Sequence, residues 1–257
     1  MSEDVQLREQ RYVDPRPAET FDRYHAQVRR GEANGVYEAV RLGISPYAWV
    51  ALRCRQVGVE NVPGSGALIL APNHFSFLDH FLMGCHIRRR VHFMAKSQLF
   101  KGPATWVYRN GGVYPVRRGV RDEEAFKTTS AILDRGGTIC MYCEGGRSRT
   151  GKVSETAKPG IGRIALESGA TVVPVAIYGS SKVRNWKRLR FPRVTVQFGE
   201  PMAWEQTDDP TREQQQAVAD AVLAEIRQMY EGLEREGRKA VKRRLRAERA
   251  SGGHAVA

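Results

Sequence analysis

Seven short apolar runs separated by helical patterns constrain this fold most. They occupy 56–60, 67–71, 91–95, 113–116, 138–143, 171–178 and 193–198. The run Ala67–Ala71 is apolar at every position and reads as a buried strand. Helices are expected at 76–88, 103–110, 122–135 and 159–168, with Asp122 ahead of one, Gly136 and Gly169 closing others, and Pro159 near a start. Strands alternating with helices make an α/β layer fold around a largely buried central sheet, flanked by helices, in a single domain. Pro174 interrupts the run 171–178 and argues against an ordinary central ladder position there.

Four stretches follow along the chain. Residues 1–34 form a polar N-terminal segment with Pro15 and Pro17, its first part expected to be loosely ordered and His25 to be mobile. Residues 35–55 read as two short helices: Gly43 closes the first, while Ser45 and Pro46 supply the N-cap and first position of the second. The second carries Tyr47–Leu52, apolar nearly all round, then Arg53 and Arg55; it either packs on the main domain or lies in a membrane interface. The α/β core spans 56–205, and 206–257 is a helical extension of one or two polar helices with a basic tail.

The net charge is +13, and Arg235–Arg249 alone holds eight basic and two acidic residues. Such an excess calls for an anionic partner: a membrane surface, nucleic acid or a phosphorylated substrate. Four cysteines in 257 residues give no disulfide framework. Cys140 and Cys143 have CxxC spacing, but they sit within an apolar run with no second pair at zinc spacing, so they read as buried reduced thiols. With no signal-like N-terminal segment and no apolar run of about 18 residues, a cytoplasmic protein without a spanning helix is expected.

The stretch APNHFSFLDH, 71–80, places His74 five residues ahead of Asp79 where an apolar run ends. On a regular helix the two would point roughly 140° apart. For them to meet, His74 must lie in the turn before the helix and Asp79 in its first turn, with Ser76 as N-cap. Asp79 then either orients an imidazole for chemistry or completes a capping box with Ser76, and the two roles are compatible. Lys96, Arg117 with Arg118, and Glu144-Gly145-Gly146-Arg147 each follow a predicted strand. In an open α/β sheet such strand ends share a crevice, where one histidine and several cations suit a general base acting on a phosphorylated substrate.

These residues resemble the motifs of the glycerophospholipid acyltransferases of the lysophosphatidic acid acyltransferase (PlsC-type) family. Asn73-His74, four residues and Asp79 match the first motif. Gly112–Arg117 resembles the second, Glu144–Ser148 the third and Val173–Ile177, around Pro174, the fourth. Order and spacing agree across about 55–200. The third motif departs from the family at Gly146, where Thr is usual, so a hydroxyl is lost and the loop is freer. Pro115-Val116 in the second motif also differs, its arginine being retained.

The resemblance implies that His74 takes a proton from a glycerol hydroxyl as that oxygen attacks an acyl thioester, with Asp79 fixing the imidazole. It implies that Arg117 and Arg147, with Lys96 as a third cation, hold the acceptor phosphate. Glu144 either holds the Arg147 loop or contacts substrate, with Asn73, Gly145, Gly146, Ser148 and Pro174 as supporting motif positions. No metal or cofactor is required, because the donor (acyl-coenzyme A or acyl carrier protein) is already activated. The implied product is phosphatidic acid, made at the inner face of the cell membrane by a peripheral enzyme whose segment 35–55 sits in the interface. Glycerol phosphate or another lysophospholipid is the alternative acceptor. The rival from another class is a basic membrane- or nucleic-acid-binding protein with a degenerate site, against which the intact His74 and Asp79 weigh. His80, His86 and His92 read as core residues, not metal ligands. The basic stretch 180–194 with Trp186 reads as a membrane- or carrier-facing patch, with no nucleic acid expected.

Overall fold

The computed structural model describes residues 14–31, 35–120, 122–148, 150–183 and 191–252. Seven strands form one sheet: β1 (Arg55–Val57), β2 (Leu68–Pro72), β3 (Val91–Lys96), β4 (Val113–Val116), β5 (Thr138–Cys140), β6 (Thr171–Tyr178) and β7 (Thr195–Phe198). Their order is β1-β7-β6-β2-β5-β3-β4, and every pairing is parallel except β6 with β7. Each coincides with one of the apolar runs. Seven helices complete the described chain: α1 (Asp22–Arg30), α2 (Gly35–Pro46), α3 (Asp79–Gly84), α4 (Ala104–Asn110), α5 (Glu123–Asp134), α6 (Gly160–Ser168) and α7 (Arg212–Gly252).

The helices cover both faces of the sheet, and side-chain alternation sorts the strands between them. Ile69 and Ala71 of β2 pack with Val28 of α1, Ile132 of α5, Ile161 of α6 and Val222 of α7. Leu68 and Leu70 face the other way, toward Tyr37 of α2, Ala48 and Leu52, and Leu82 of α3. Burial on both sides is why these strands read as continuous apolar runs.

Several local expectations give way to packing. The segment 14–31 is an ordered part of the fold, not a mobile leader: α1 packs on α5 and the buried His25 accepts or donates a 2.9 Å bond between Nδ1 and Thr128 Oγ1. Positions 1–13 and His254 lie outside the described residues. Gly43 does not close a helix, because α2 runs through it to Pro46 and continues into a π-helical turn, Tyr47–Ala51. Ser45 is no N-cap there; its hydroxyl donates back to the Arg41 carbonyl at 2.7 Å. Ala48 and Leu52 are fully buried, whereas Leu42, Trp49 and Val50 stand exposed. The segment therefore packs on the domain and also presents an apolar outer face. At the other end α7 is two helices, broken at Gly237, whose φ of +74° suits glycine.

Pro174 does sit in a central strand, between β2 and β7. The Thr171 N–H donates to Ala67 on the β2 side and the Val172 N–H to Met202 on the other. By alternation the missing N–H of Pro174 faces the β7 side. There the register shifts by one residue between the Val172–Met202 bridge and the Val175–Phe198 pair, so no ladder bond is lost.

Candidate active site

Strands β2, β5, β3 and β4 are neighbours and all parallel, so their carboxyl ends lie on one edge of the sheet. This edge carries His74 after β2, Glu144–Ser148 after β5, Lys96 at the end of β3 and Arg117 after β4. Topology thus brings together the residues picked out from the sequence, at the place where open α/β sheets bind ligands.

The turn that holds His74 is built by side chains imitating backbone. Asn73 accepts the Ile177 N–H on Oδ1 at 2.6 Å and donates from Nδ2 to the Ile177 carbonyl at 3.3 Å. It supplies one more rung of β2–β6 pairing while the main chain turns away. Asp79, fully buried, gathers the turn with a single oxygen. Its Oδ2 accepts the Phe75 and Ser76 N–H groups at 2.7 Å each and His74 Nδ1–H at 2.9 Å. The helix starts at Asp79 itself, not Ser76. Ser76 is therefore only half of a capping box: its N–H goes to Asp79, while its hydroxyl accepts the Leu78 N–H at 3.2 Å.

With Nδ1–H committed to a carboxylate, the neutral imidazole carries its lone pair on Nε2. Burial holds the His74 pKa below the ordinary value; the Asp79 bond and charge raise it, and the charges of Arg147 and Arg118 lower it. The group is therefore a neutral base near pH 7.

The loop after β5 clasps the same turn. Glu144 Oε1 accepts the His74 N–H at 3.1 Å, and the Ser148 N–H donates to the His74 carbonyl at 2.8 Å. Burial pushes the Glu144 carboxyl up to about 7, against the opposing pull of bonds from the His74 and Ser154 backbone. Gly145, at φ +65°, closes a turn whose N–H donates to the Tyr142 carbonyl at 3.0 Å. Gly146 lies beside Arg118, whose Nη1 would be in ordinary contact, 3.6 Å, with a β-carbon at that position. Arg147 is exposed, and Arg117 donates its N–H to Asp122 Oδ2 at 2.6 Å, the carboxylate that also caps α5.

Two residues matter more than the sequence reading gave them weight for. Arg118 acts electrostatically on His74, although Arg117 carries the motif match. Tyr142 stacks on the His74 ring at 3.9 Å. Arg118 adjoined a chosen residue; nothing local marked Tyr142, whose position depends on β2 and β5 being neighbours. Beside the histidine opens an apolar cleft of about 790 Å³, mouth included, lined by Val40, Ile44, Phe77, His80, Phe93 and Val107 among others. Burial brings the His80 pKa down to about 4, so His80 adds no charge to the lining, which also includes Arg41. All four cysteines are free thiols, and no group of metal-ligating side chains occurs among the described residues.

A sequence model of the Acyltransferase family matches residues 53–178, which contain His74, Asp79, Lys96, Arg117, Arg118, Tyr142, Glu144 and Arg147. The chain is 29% identical over 130 residues to a chloroplast 1-acyl-sn-glycerol-3-phosphate acyltransferase of Arabidopsis thaliana, covering 49% of this chain and 36% of that protein. It is 25% identical over 137 residues to the enzyme of the same name from Borreliella burgdorferi, covering 52% and 54%. The chain thus spans about a third to a half of the length of these relatives. Among solved structures, the 1-acyl-sn-glycerophosphate acyltransferase PlsC from Thermotoga maritima superposes with a TM-score of 0.55 at 26% identity, over 74% of this chain and 80% of that one.

Proposed function

The chain belongs to the 1-acyl-sn-glycerol-3-phosphate acyltransferase family, and from that premise we propose that it transfers an acyl group from a thioester to the free hydroxyl of lysophosphatidic acid, forming phosphatidic acid. The observation that carries this reading is the buried 2.9 Å contact between His74 Nδ1 and Asp79 Oδ2 at the shared edge of parallel strands. His74 Nε2 removes the acceptor's hydroxyl proton as the oxygen bonds to the thioester carbonyl carbon. Asp79 stabilises the resulting imidazolium. Collapse of the tetrahedral intermediate breaks the carbon–sulfur bond, and the thiolate leaves with the proton from His74. The balance needs no cofactor. Arg118 and Arg147, with Arg117 and Lys96 along the same edge, hold the acceptor phosphate through charge-assisted bonds. The apolar cleft takes an acyl chain.

The same geometry supports a peripheral membrane location. Leu42, Trp49 and Val50 are exposed on the α2 side of the domain, and Phe77 and Val107 are exposed at the rim of the cleft. No helix among the described residues is long and apolar enough to cross a membrane. An amphiphile entering from such a surface reaches His74 without exposing its chain to water.

The test is purified protein with labelled acyl-coenzyme A and a panel of acceptors, with His74→Ala as control. Lysophosphatidic acid should be the best acceptor. Arg118→Ala and Arg147→Ala should raise its KM by about tenfold each, more than they raise that of the donor. A preference for glycerol 3-phosphate would move the chain toward the activity named for a relative from Aeromonas hydrophila, 25% identical over 60% of this chain and 22% of that one. Equal turnover by His74→Ala would overturn the mechanism.

A further inference from the structure

A second cavity lies across α4 from the apolar cleft. Its volume is about 540 Å³ with its mouth, and Arg23, Lys101, Arg109, Tyr24 and Trp106 line it. Val107 and Tyr108 of α4 face the first cavity, while Thr105, Trp106 and Arg109 face the second. A tier of rings separates them: Tyr108 to Phe100 at 5.8 Å and Phe100 to Tyr24 at 5.1 Å between centroids.

The lining is chemically one-sided. Three cations converge and no carboxylate lines the cavity. None of the three makes an ion pair among the described residues; Arg23 instead donates to Tyr24 Oη at 2.6 Å and lies over that ring. Arg109 Nε is shut off from solvent with no acceptor. Like charges gathered at one mouth are unfavourable, and a polyanion relieves that repulsion. Trp106, 57% exposed, adds a flat apolar surface on which a base can stack.

We infer that this cavity binds the phosphorylated nucleotide end of the acyl donor, an adenosine bisphosphate, so that the donor is a coenzyme A thioester. The inference rests on the acyltransferase reading and names its donor. The cavity follows β3, which lies two strands from β2, about 10 Å across the sheet. The flexible arm between nucleotide and thioester is suited to bridging that span while the acyl chain lies in the apolar cleft. A protein carrier would need a broad basic face, whereas these cations meet in a small concave site beside an indole.

The experiment uses the full chain. Calorimetric titration with adenosine 3′,5′-bisphosphate should show saturable binding, weakened about tenfold or more by Lys101→Glu, an exposed change, and by Arg109→Ala. The donor KM for acyl-coenzyme A should rise by a similar factor while the acceptor KM stays within about twofold. Trp106→Phe should weaken binding less, since an aromatic face remains. Three results would overturn the inference. One is absence of nucleotide binding. Another is a KM rise for lysophosphatidic acid in place of the donor, which would make the phosphate that of a lipid headgroup. The third is a loss confined to acyl carrier protein as donor. Nucleotide binding without any acyl transfer would sustain the site and reject the proposed reaction.

Discussion

His74 lies flat on Tyr142, ring centroids 3.9 Å apart and planes 21° from parallel. The stack blocks one face of the imidazole and limits its rotation. It also places π density against a ring that becomes cationic in the proposed mechanism, an interaction worth about 0.5–2 kcal/mol. Tyr142→Leu should lower kcat by about two- to thirtyfold on that scale and move the acidic limb of the kcat–pH profile to lower pH. Tyr142→Phe should keep a near-parental kcat, because the stacked ring remains and the buried phenol oxygen interacts with the Cys140 thiol, not with His74. Equal losses in both variants would assign the effect to the hydroxyl.

Asp79 binds the turn and the imidazole with the same oxygen, so its capping role and its proposed chemical role are separable by measurement. His74→Ala should reduce turnover by at least about 10²–10⁴-fold with a near-parental unfolding midpoint. Asp79→Asn should lose activity and also about 1–3 kcal/mol of stability, since an amide replaces a carboxylate that accepts two backbone N–H groups as well as the imidazole. Initial rates and urea denaturation followed by circular dichroism check both. A parental midpoint for Asp79→Asn would remove the capping role.

Glu144 gives the site a second ionisation. Its folded pKa, about 7, lies above the ordinary carboxylate value because of burial. Its contribution to stability is thus fully present below about pH 4.5 and is lost as pH rises through about 7. Glu144→Gln keeps an acceptor for the His74 N–H without the charge. The variant should match the parent at pH 5 and exceed it in denaturation midpoint at pH 8. An unchanged difference between parent and variant across that range would show that Glu144 does not titrate there.

Under the proposed peripheral location, the exposed face of the α2 region and the basic end of α7 should act as two separable attachments to an anionic bilayer. Lys239, Lys242, Arg243 and Arg246 follow one another at helical spacing, opposite the buried Val241. Reversing two of these charges should weaken vesicle binding mainly at low salt, where the Debye length is about 10 Å rather than about 3 Å. Trp49→Ser with Val50→Ser should weaken it at every salt concentration, because apolar burial is not screened. Leu52 is no anchor, being fully buried, and Leu52→Ser should unfold the protein. Co-sedimentation over a salt series decides. Complete release of the parent by high salt would leave charge as the sole attachment.

How much of this was legible in the chain depended on whether the signal was local. Buried parallel strands announce themselves, since Ala67–Ala71 has no polar face to confuse the pattern. Cap signals misled around Gly43 and Ser45, because Tyr37, Ala48 and Leu52 all gain burial from one continuous helix and its π turn. His25 looked peripheral by its polar neighbours, yet Tyr24 and Val28 beside it bury their side chains and carry the segment with them. The motif residues His74, Lys96, Arg117 and Arg147 and their place at one sheet edge were legible, while the order of the strands along that edge was not. Placing β5 between β2 and β3 sets Tyr142 against His74, and strand order leaves no mark on a single segment.

Asn73 shows what it means for a side chain to stand in for a peptide group. Its amide offers one acceptor and one donor at the separation a neighbouring strand would offer, and Ile177 uses both. Aspartate matches the shape but sets an oxygen against the Ile177 carbonyl; glutamine matches the groups but is one methylene too long; alanine leaves both Ile177 groups unsatisfied beside the core. The position therefore admits a single letter of the twenty. In a library randomised there, survivors should be almost monochrome, although residue 73 itself takes no part in moving a proton.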